Sequence, residues 1–198
     1  MKGLRALKFR GVTLVRSGFA GVKLSYMESS ICIDVPQPAG CAAALYTHNH
    51  PRHAPQTPPQ VPVYSPFAGR RVAPGERLEL VAGVKLLAVH AYSLGFAGAE
   101  AHPKGVGVGF LLEFPTGLRV YHAGDTDLVG EVLELRGLVD VAFLPVSGRS
   151  VMNPEEAAEA VRTLRPAIAV PVHEETSSQA RTFKRLAQPY TQVVLMEA

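Results

Sequence analysis

Thr47-His48-Asn49-His50-Pro51-Arg52-His53 places three of the chain's seven histidines within six residues. At i, i+2 and i+5 their side chains would stand at roughly 0°, 200° and 140° around a helix axis, so no helical face could hold all three. Pro51 also stops a helix there. The segment follows the short strand pattern Ala43–Tyr46. It is therefore predicted as an irregular loop at a strand end, where three imidazoles can converge on one or two cations. The plainer alternatives are a solvated histidine-rich turn and a surface metal tract without chemistry.

Upstream of this segment, Val12–Val15, Val22–Ser25 and Ile31–Val35 are β-branched runs broken by Gly, Pro or Ser, and predict strands of a mostly antiparallel sheet. Downstream, Ala54-Pro-Gln-Thr-Pro-Pro-Gln60 is an exposed connection, because proline removes backbone donors and disfavours helix in the residue before it. Further strands are predicted at Leu78–Val81, Lys85–Val89, Gly107–Phe114 and Leu118–His122, with Pro115-Thr116-Gly117 as the turn of a hairpin. Gly105, Gly107 and Gly109 alternate as strand residues do; they lack the six-residue spacing and following helix of a dinucleotide loop.

From Leu128 the pattern changes to alternating helices and apolar strands: helix Leu128–Leu135, strand Val139–Pro145, helix Pro154–Leu164, strand Ala167–Val172, helix Ser177–Leu186 and strand Gln192–Met196. The helix at Pro154 has strong start signals, with Asn153 able to cap it, proline in the first turn, and Glu155 and Glu156 at the positive end of the dipole.

Other side chains join the histidine segment as candidates for chemistry. Asp125, one of only four aspartates, follows an apolar strand in Tyr121-His-Ala-Gly-Asp-Thr-Asp127, and His173 ends the apolar run Ala167–His173. His102, in the loop Gly95–Gly105, and His90, closing a strand, compete for a further ligand position; the glycine-rich loop that could fold over a site favours His102. His90 and His122 are then expected as hydrogen-bonded supporting residues.

Composition limits the remaining classes. At 198 residues the chain is expected to form a single domain spanning 1–198, and with 47% hydrophobic and 19% charged residues it has the makings of a packed core. The net charge of +3 is scattered, so nucleic-acid binding is allowed but not indicated. No apolar stretch reaches membrane-spanning length and the first residues lack a secretory pattern, which makes a soluble cytoplasmic protein the expectation. Cys32 and Cys41 are not in a C-x-x-C arrangement and are expected as buried small hydrophobes. Oligomeric state is not readable, and a homo-oligomer stays open.

Taken in order, Ser30-Ile-Cys-Ile-Asp34, Thr47–His53, His102-Pro-Lys-Gly-Val-Gly-Val-Gly-Phe110, Tyr121–Leu128, Asp140-Val-Ala-Phe-Leu-Pro-Val146, Met152-Asn-Pro-Glu-Glu-Ala157 and Pro171-Val-His173 resemble the metallo-β-lactamase superfamily. The likeness is to its small members, similar to the ascorbate-phosphate lactonase branch. It implies an α+β fold, a four-layer αββα sandwich with metals at one edge. It further implies that His48, His50 and His102 form a first metal site, that His53 and His173 serve a second, and that Asp125 bridges the two. The family pattern His-x-His-x-Asp-His is broken here, because Arg52 stands where the aspartate belongs. A guanidinium held about 5 Å from a divalent ion at an effective dielectric of about 20 would cost roughly 6 to 7 kcal/mol, enough to empty the second site. Alternatively Arg52 swings away, or pairs with a substrate phosphate or carboxylate.

The chemistry implied is hydrolysis by a metal-activated water, with Asp125 and Arg52 as the candidate catalytic residues and a small-molecule substrate, a phosphoester or lactone. Imidazole with carboxylate suits zinc first, with manganese or iron as alternatives and one or two ions bound. A non-catalytic ligand- or partner-binding member of the fold, and a nuclease, are the competing expectations.

Overall fold

The computed structural model describes residues 3–95 and 102–198. Two seven-stranded sheets carry the chain, each in sequence order across the sheet. The first contains β1 (Leu7–Phe9), β2 (Val12–Ser17), β3 (Gly21–Tyr26), β4 (Ser29–Ile33), β5 (Ala43–Leu45), β6 (Val63–Ser65) and β7 (Arg70–Arg71). The second contains β8 (Arg77–Glu79), β9 (Lys85–Ala91), β10 (Gly107–Glu113), β11 (Arg119–His122), β12 (Val141–Pro145), β13 (Ile168–Val172) and β14 (Gln192–Val193).

Alternation explains how the sheets meet. Along β2 every second side chain is buried, so Val12 and Leu14 face inward with Val22, Leu24, Ile31 and Ile33 from the neighbouring strands. They pack against Leu86, Phe110, Leu112, Val120, Phe143 and Val170 of the second sheet in one continuous core. The strands β12 and β13 are buried along their whole length, as expected of parallel strands covered on both faces. Their outward residues Ala142, Leu144 and Ala169 meet α1 (Gly130–Leu133), α2 (Pro154–Leu164) and α3 (Ser177–Ala187).

The result fits the expected α+β sandwich, with one difference in its layers. Among the described residues all three α-helices lie outside the second sheet. Outside the first, Tyr46 and Ala44 are instead covered by Ala54, Val61 and Phe67 from loops. The proline-rich stretch after His53 cannot supply a helix there. The first sheet is also less antiparallel than its strand patterns predicted. Strands β1 to β4 pair antiparallel, whereas β4 to β7 pair parallel; long connections rather than tight turns precede β5 and β6, and only a short segment precedes β7. The predicted helix Leu128–Leu135 shrinks to the four residues of α1, and the last strand pairs only over Gln192–Val193, with a separate bridge from Met196 to Leu4.

The two cysteines are buried as expected, but not as free thiols: Cys32 and Cys41 form a disulfide, their Cα atoms 5.9 Å apart. Strand β4 and the loop entering β5 are parallel neighbours, and that register brings together two residues whose spacing in the chain gives no hint of it. No helix among the described residues is long and apolar enough to cross a membrane.

Candidate metal centre

The side chains of His48, His50, His53, His102, Asp125 and His173 arrive from loops at one edge of the two sheets. The Thr47–His53 loop leaves β5 and folds into a turn in which the N–H groups of His53 and Ala54 donate to the His50 carbonyl at 2.9 and 2.8 Å. Val108 N–H donates to Thr47 O at 3.0 Å and ties this loop to the second sheet. Asp125 follows β11 through Gly124, and a Cβ on Gly124 would lie 2.9 Å from Val108 O and 3.0 Å from the Thr47 side chain. Gly109 is similarly tight, 2.8 Å from Ala123 O. The alternating glycines of β10 and its neighbour therefore let two backbones approach where the ligand loops cross.

Asp125 Oδ2 is the centre of the arrangement. The Nε2 atoms of His173, His102, His53 and His48 lie 2.9, 3.4, 3.5 and 3.6 Å from it, and all five residues are buried. His50 Nδ1 stands 3.1 Å from His48 Nε2. Two groups able to hold an ion emerge, His48, His50, His102 and Asp125 in one and His53, Asp125 and His173 in the other, sharing Asp125. A third group, Asp34 with His48 and His53, overlaps both. His90 belongs to none of them. His122 sits between a backbone acceptor and a backbone donor, Ala20 O at 2.8 Å and Gly124 N–H at 3.2 Å.

Hydrogen bonds fix which ring nitrogen is free. His102 Nδ1 faces Ser150 O at 3.1 Å and must donate, which leaves its buried Nε2 as a lone pair without a hydrogen-bond partner. His53 Nδ1 donates to Asp34 Oδ2 at 2.9 Å. Thr47 Oγ1–H donates to the same carboxylate at 2.7 Å, so His48 Nδ1, 2.9 Å from Thr47 Oγ1, is the donor in that contact. Three imidazole lone pairs thus point at a carboxylate oxygen, which is repulsive unless a cation lies between. Two ligands each about 2.0 to 2.1 Å from one tetrahedral ion stand about 3.3 to 3.4 Å apart, close to the spacings found. The residues fit a divalent metal.

Asp34, which the sequence pattern gave no role as a candidate, is thus a supporting anion of the site. It is fully buried at the end of β4, takes a positive φ of 50°, and also accepts from Thr47 N–H at 2.8 Å. Its sequence signals are its position directly after an apolar strand and its place at the end of the Ser30–Asp34 segment of the family resemblance, neither of which assigned it a role. Such partners orient ligating imidazoles and raise their basicity.

The charges are strongly coupled to burial. Burial opposes ionisation of Asp125, but the surrounding histidines, His53 first, hold its carboxyl well below the ordinary carboxylate range. Burial likewise opposes a charge on Asp34, and the His53 hydrogen bond lowers it. Burial pushes His48 down to about 3 against the pull of Asp125, and it lowers His102 and His122 as well. His53 moves the other way: burial opposes its proton, but Asp125 and Asp34 raise it above its ordinary value.

His173 is held by a different set. It takes a positive φ of 57°, its N–H donates to Phe19 O at 3.0 Å, and its Nδ1 lies 3.0 Å from Ser147 Oγ. Arg16, buried, donates to Phe19 O at 2.9 Å and to Glu174 at 2.6 Å, locking the β2–β3 turn against the His173 loop.

Arg52 does not enter the cluster. Its Cζ lies 3.9 Å from the centre of the Phe19 ring, and its Nη2 lies 3.9 Å from Glu175 Oε1. A cleft of about 410 Å³ opens above Asp125, with Arg52, Arg149, Ser150 and Glu175 at its walls.

Two facing sheets with a histidine and aspartate cluster at one edge define the metallo-β-lactamase class of fold. The chain belongs to the Beta-lactamase superfamily domain family, whose profile matches residues 34–173. It is similar to proteins named UPF0173 metal-dependent hydrolase: 34% identical over 124 residues to one from Thermococcus onnurineus, covering 59% of this chain and 54% of the relative. With one from Cupriavidus taiwanensis it shares 43% over 84 residues, 41% of this chain and 29% of the relative. The matched segments thus span about half or less of these curated relatives. Among solved structures, a protein from Parabacteroides distasonis, provisionally assigned as a metal-dependent hydrolase, superposes with a TM-score of 0.84 at 25% identity over 97% of both chains. The metallo hydrolase Igni18 from Ignicoccus hospitalis shares the fold, with a TM-score of 0.76 at 24% identity over 94% of this chain and 95% of Igni18.

Proposed function

We propose that the chain is a metal-dependent hydrolase acting on a small anionic molecule, a phosphoester or a lactone. The observation that carries this reading is the convergence of four imidazole Nε2 atoms within 3.6 Å of Asp125 Oδ2 in a buried site open to a cleft. The names of its relatives support the same class. In this reading His48, His50, His102 and Asp125 hold the first ion, and His53, His173 and Asp125 the second. When bound, a divalent ion would supply a water whose pKa is lowered to about 7 and would polarise the bond to be cleaved. Asp125 would orient that water, and Asp34, through His53 and Thr47, keeps the imidazoles in the tautomer able to ligate. The nitrogen-rich donor set suits zinc first, with manganese or iron as alternatives.

Arg52 alters the second position in a way that the turned-out side chain defines. The guanidinium packs over Phe19 beside Glu175 and stays outside the cluster, so its repulsion of an ion is weakened though still felt at His53, and the second position lacks one anionic ligand. The second position therefore keeps three protein donors and binds the weaker ion. Metal content per chain, measured by plasma mass spectrometry after purification without chelator or polyhistidine tag, is expected near one, rising toward two in Arg52→Asp. An Asp125→Ala variant is expected to lose the bound metal and turnover. Full activity of that variant on any substrate found by screening phosphomonoesters, phosphodiesters, lactones and thioesters would sink the reading, and so would a native chain that retains no ion after reconstitution.

A further inference from the structure

Glu175 lies at the mouth of the cleft between two guanidinium groups. Arg52 Nη2 is 3.9 Å from one carboxylate oxygen, Oε1, and Arg149 Nη1 is 3.5 Å from the other, Oε2. Each oxygen of a single carboxylate thus faces a different arginine, an arrangement that an incoming carboxylate or phosphate could reproduce. Both arginines are well exposed, with side-chain accessibilities of 60% and 79% against 32% for Glu175. Ion pairs of that exposure are weak and readily exchanged. The same cleft is floored by His53, His102, Asp125 and His173, so an anion seated at the mouth would extend its remaining atoms toward the metal ligands.

We propose that Arg52 and Arg149 form a recognition seat for a dianionic, phosphate-type group, and that Glu175 occupies this seat until such a group displaces it. The charge balance selects the dianion. Two guanidinium groups and one carboxylate leave a net charge of +1. A monoanion that replaces Glu175 leaves that balance unchanged, whereas a dianion neutralises both arginines. The packing of Arg52 over Phe19 presets one side of the seat, since the guanidinium carbon is already held 3.9 Å from the ring centre. Arg52 in the histidine loop thereby becomes a specificity-determining residue. This inference rests on the proposed function only in taking the cleft as the substrate site.

The test is calorimetric titration of the metal-loaded protein with inorganic phosphate and, separately, with acetate, with the metal content of every sample measured. Glu175→Gln is expected to bind phosphate about tenfold more tightly than the native chain, with little gain for acetate. The double variant Arg52→Met with Arg149→Gln is expected to lose about tenfold or more in phosphate affinity at equal metal content. Unchanged phosphate affinity in Glu175→Gln, or full affinity in the double variant, would put the phosphate on the metal ions alone and overturn the seat. An equal gain for acetate would overturn its selection of dianions. The altered residues are exposed, and unfolding midpoints close to native confirm that the variants fold. The expected phosphate pattern without turnover of any screened substrate would remove the hydrolase reading and leave the seat standing.

Discussion

His48 carries a large penalty for accepting a proton. Burial pushes it to about 3, while an unfolded histidine titrates near 6.5. The folded chain therefore binds fewer protons than the unfolded one below that value, and stability present above pH 6.5 is lost as pH falls toward 3. Between pH 6.5 and pH 5, His48 alone removes about 2 kcal/mol, taking about 1.4 kcal/mol per pH interval of one. His102 and His122, also lowered, act in the same direction, and His53, raised, acts against them. Chelator-treated protein is expected to unfold at clearly lower urea at pH 5 than at pH 7; equal midpoints would mean that His48 is not held neutral by burial. Bound metal should flatten the loss near neutrality and steepen it where protons displace the ion. At this scale, the identities of His48, His50, His53, His102, Asp125 and His173 were legible as candidates because histidine and aspartate at strand ends are sparse and specific. Asp34 was not, because its importance lies in bonds to Thr47 and His53 made across the loop.

At the scale of elements, the site depends on how closely two ligand-bearing loops can cross. Gly124 combines both constraints, with a φ of +65° and backbone and side-chain atoms at 2.9 to 3.0 Å from any added Cβ. Gly124→Ala is expected to cost about 2 to 3 kcal/mol, combining left-handed strain with the displaced contact. Because Asp125 is the next residue, the same variant is expected to retain less metal than the native chain. Urea unfolding together with metal content checks both, and a variant with native stability would show that the loop simply relaxes. The capped helix α2 behaved as its sequence predicted: Asn153 accepts from Glu156 N–H at 2.8 Å and Glu156 returns the bond to Asn153 N–H at 2.9 Å. The hairpin turn at Pro115–Gly117 did so too, Gly117 taking a φ of +78° and its N–H donating to Phe114 O at 2.8 Å. Both are local devices, readable from a few adjacent residues. Strands β1, β6 and β7 were not foreseen, since two or three residues carry no periodicity and are fixed by the partner strand alone.

For the whole molecule, the disulfide between Cys32 and Cys41 is a constraint on the unfolded chain more than on the folded one. It closes a loop of nine residues' separation, for which the loss of chain entropy corresponds to about 2 to 3 kcal/mol. Reduction is expected to lower the unfolding free energy by that amount and leave the metal content unchanged, since neither cysteine belongs to the histidine and aspartate groups. Paired urea titrations with and without a thiol reductant check it, and coincident curves would count against a bridge in the native protein.

The amino-acid sequence by itself determined the class of fold, the strand and helix content of the second half, and the side chains able to ligate a metal. The class of fold is what the ordered segments resembling the metallo-β-lactamase superfamily implied, and the rest follows from periodicity, capping and sparse chemical types, all properties of short segments. Only the tertiary structure decided where Arg52 points, which carboxylate supports the imidazoles, that the cysteines meet, and that loops cover the outer face of the first sheet. The physical reason is common to all four: each depends on a contact between residues brought together by sheet register and loop closure, and no local pattern encodes the partner.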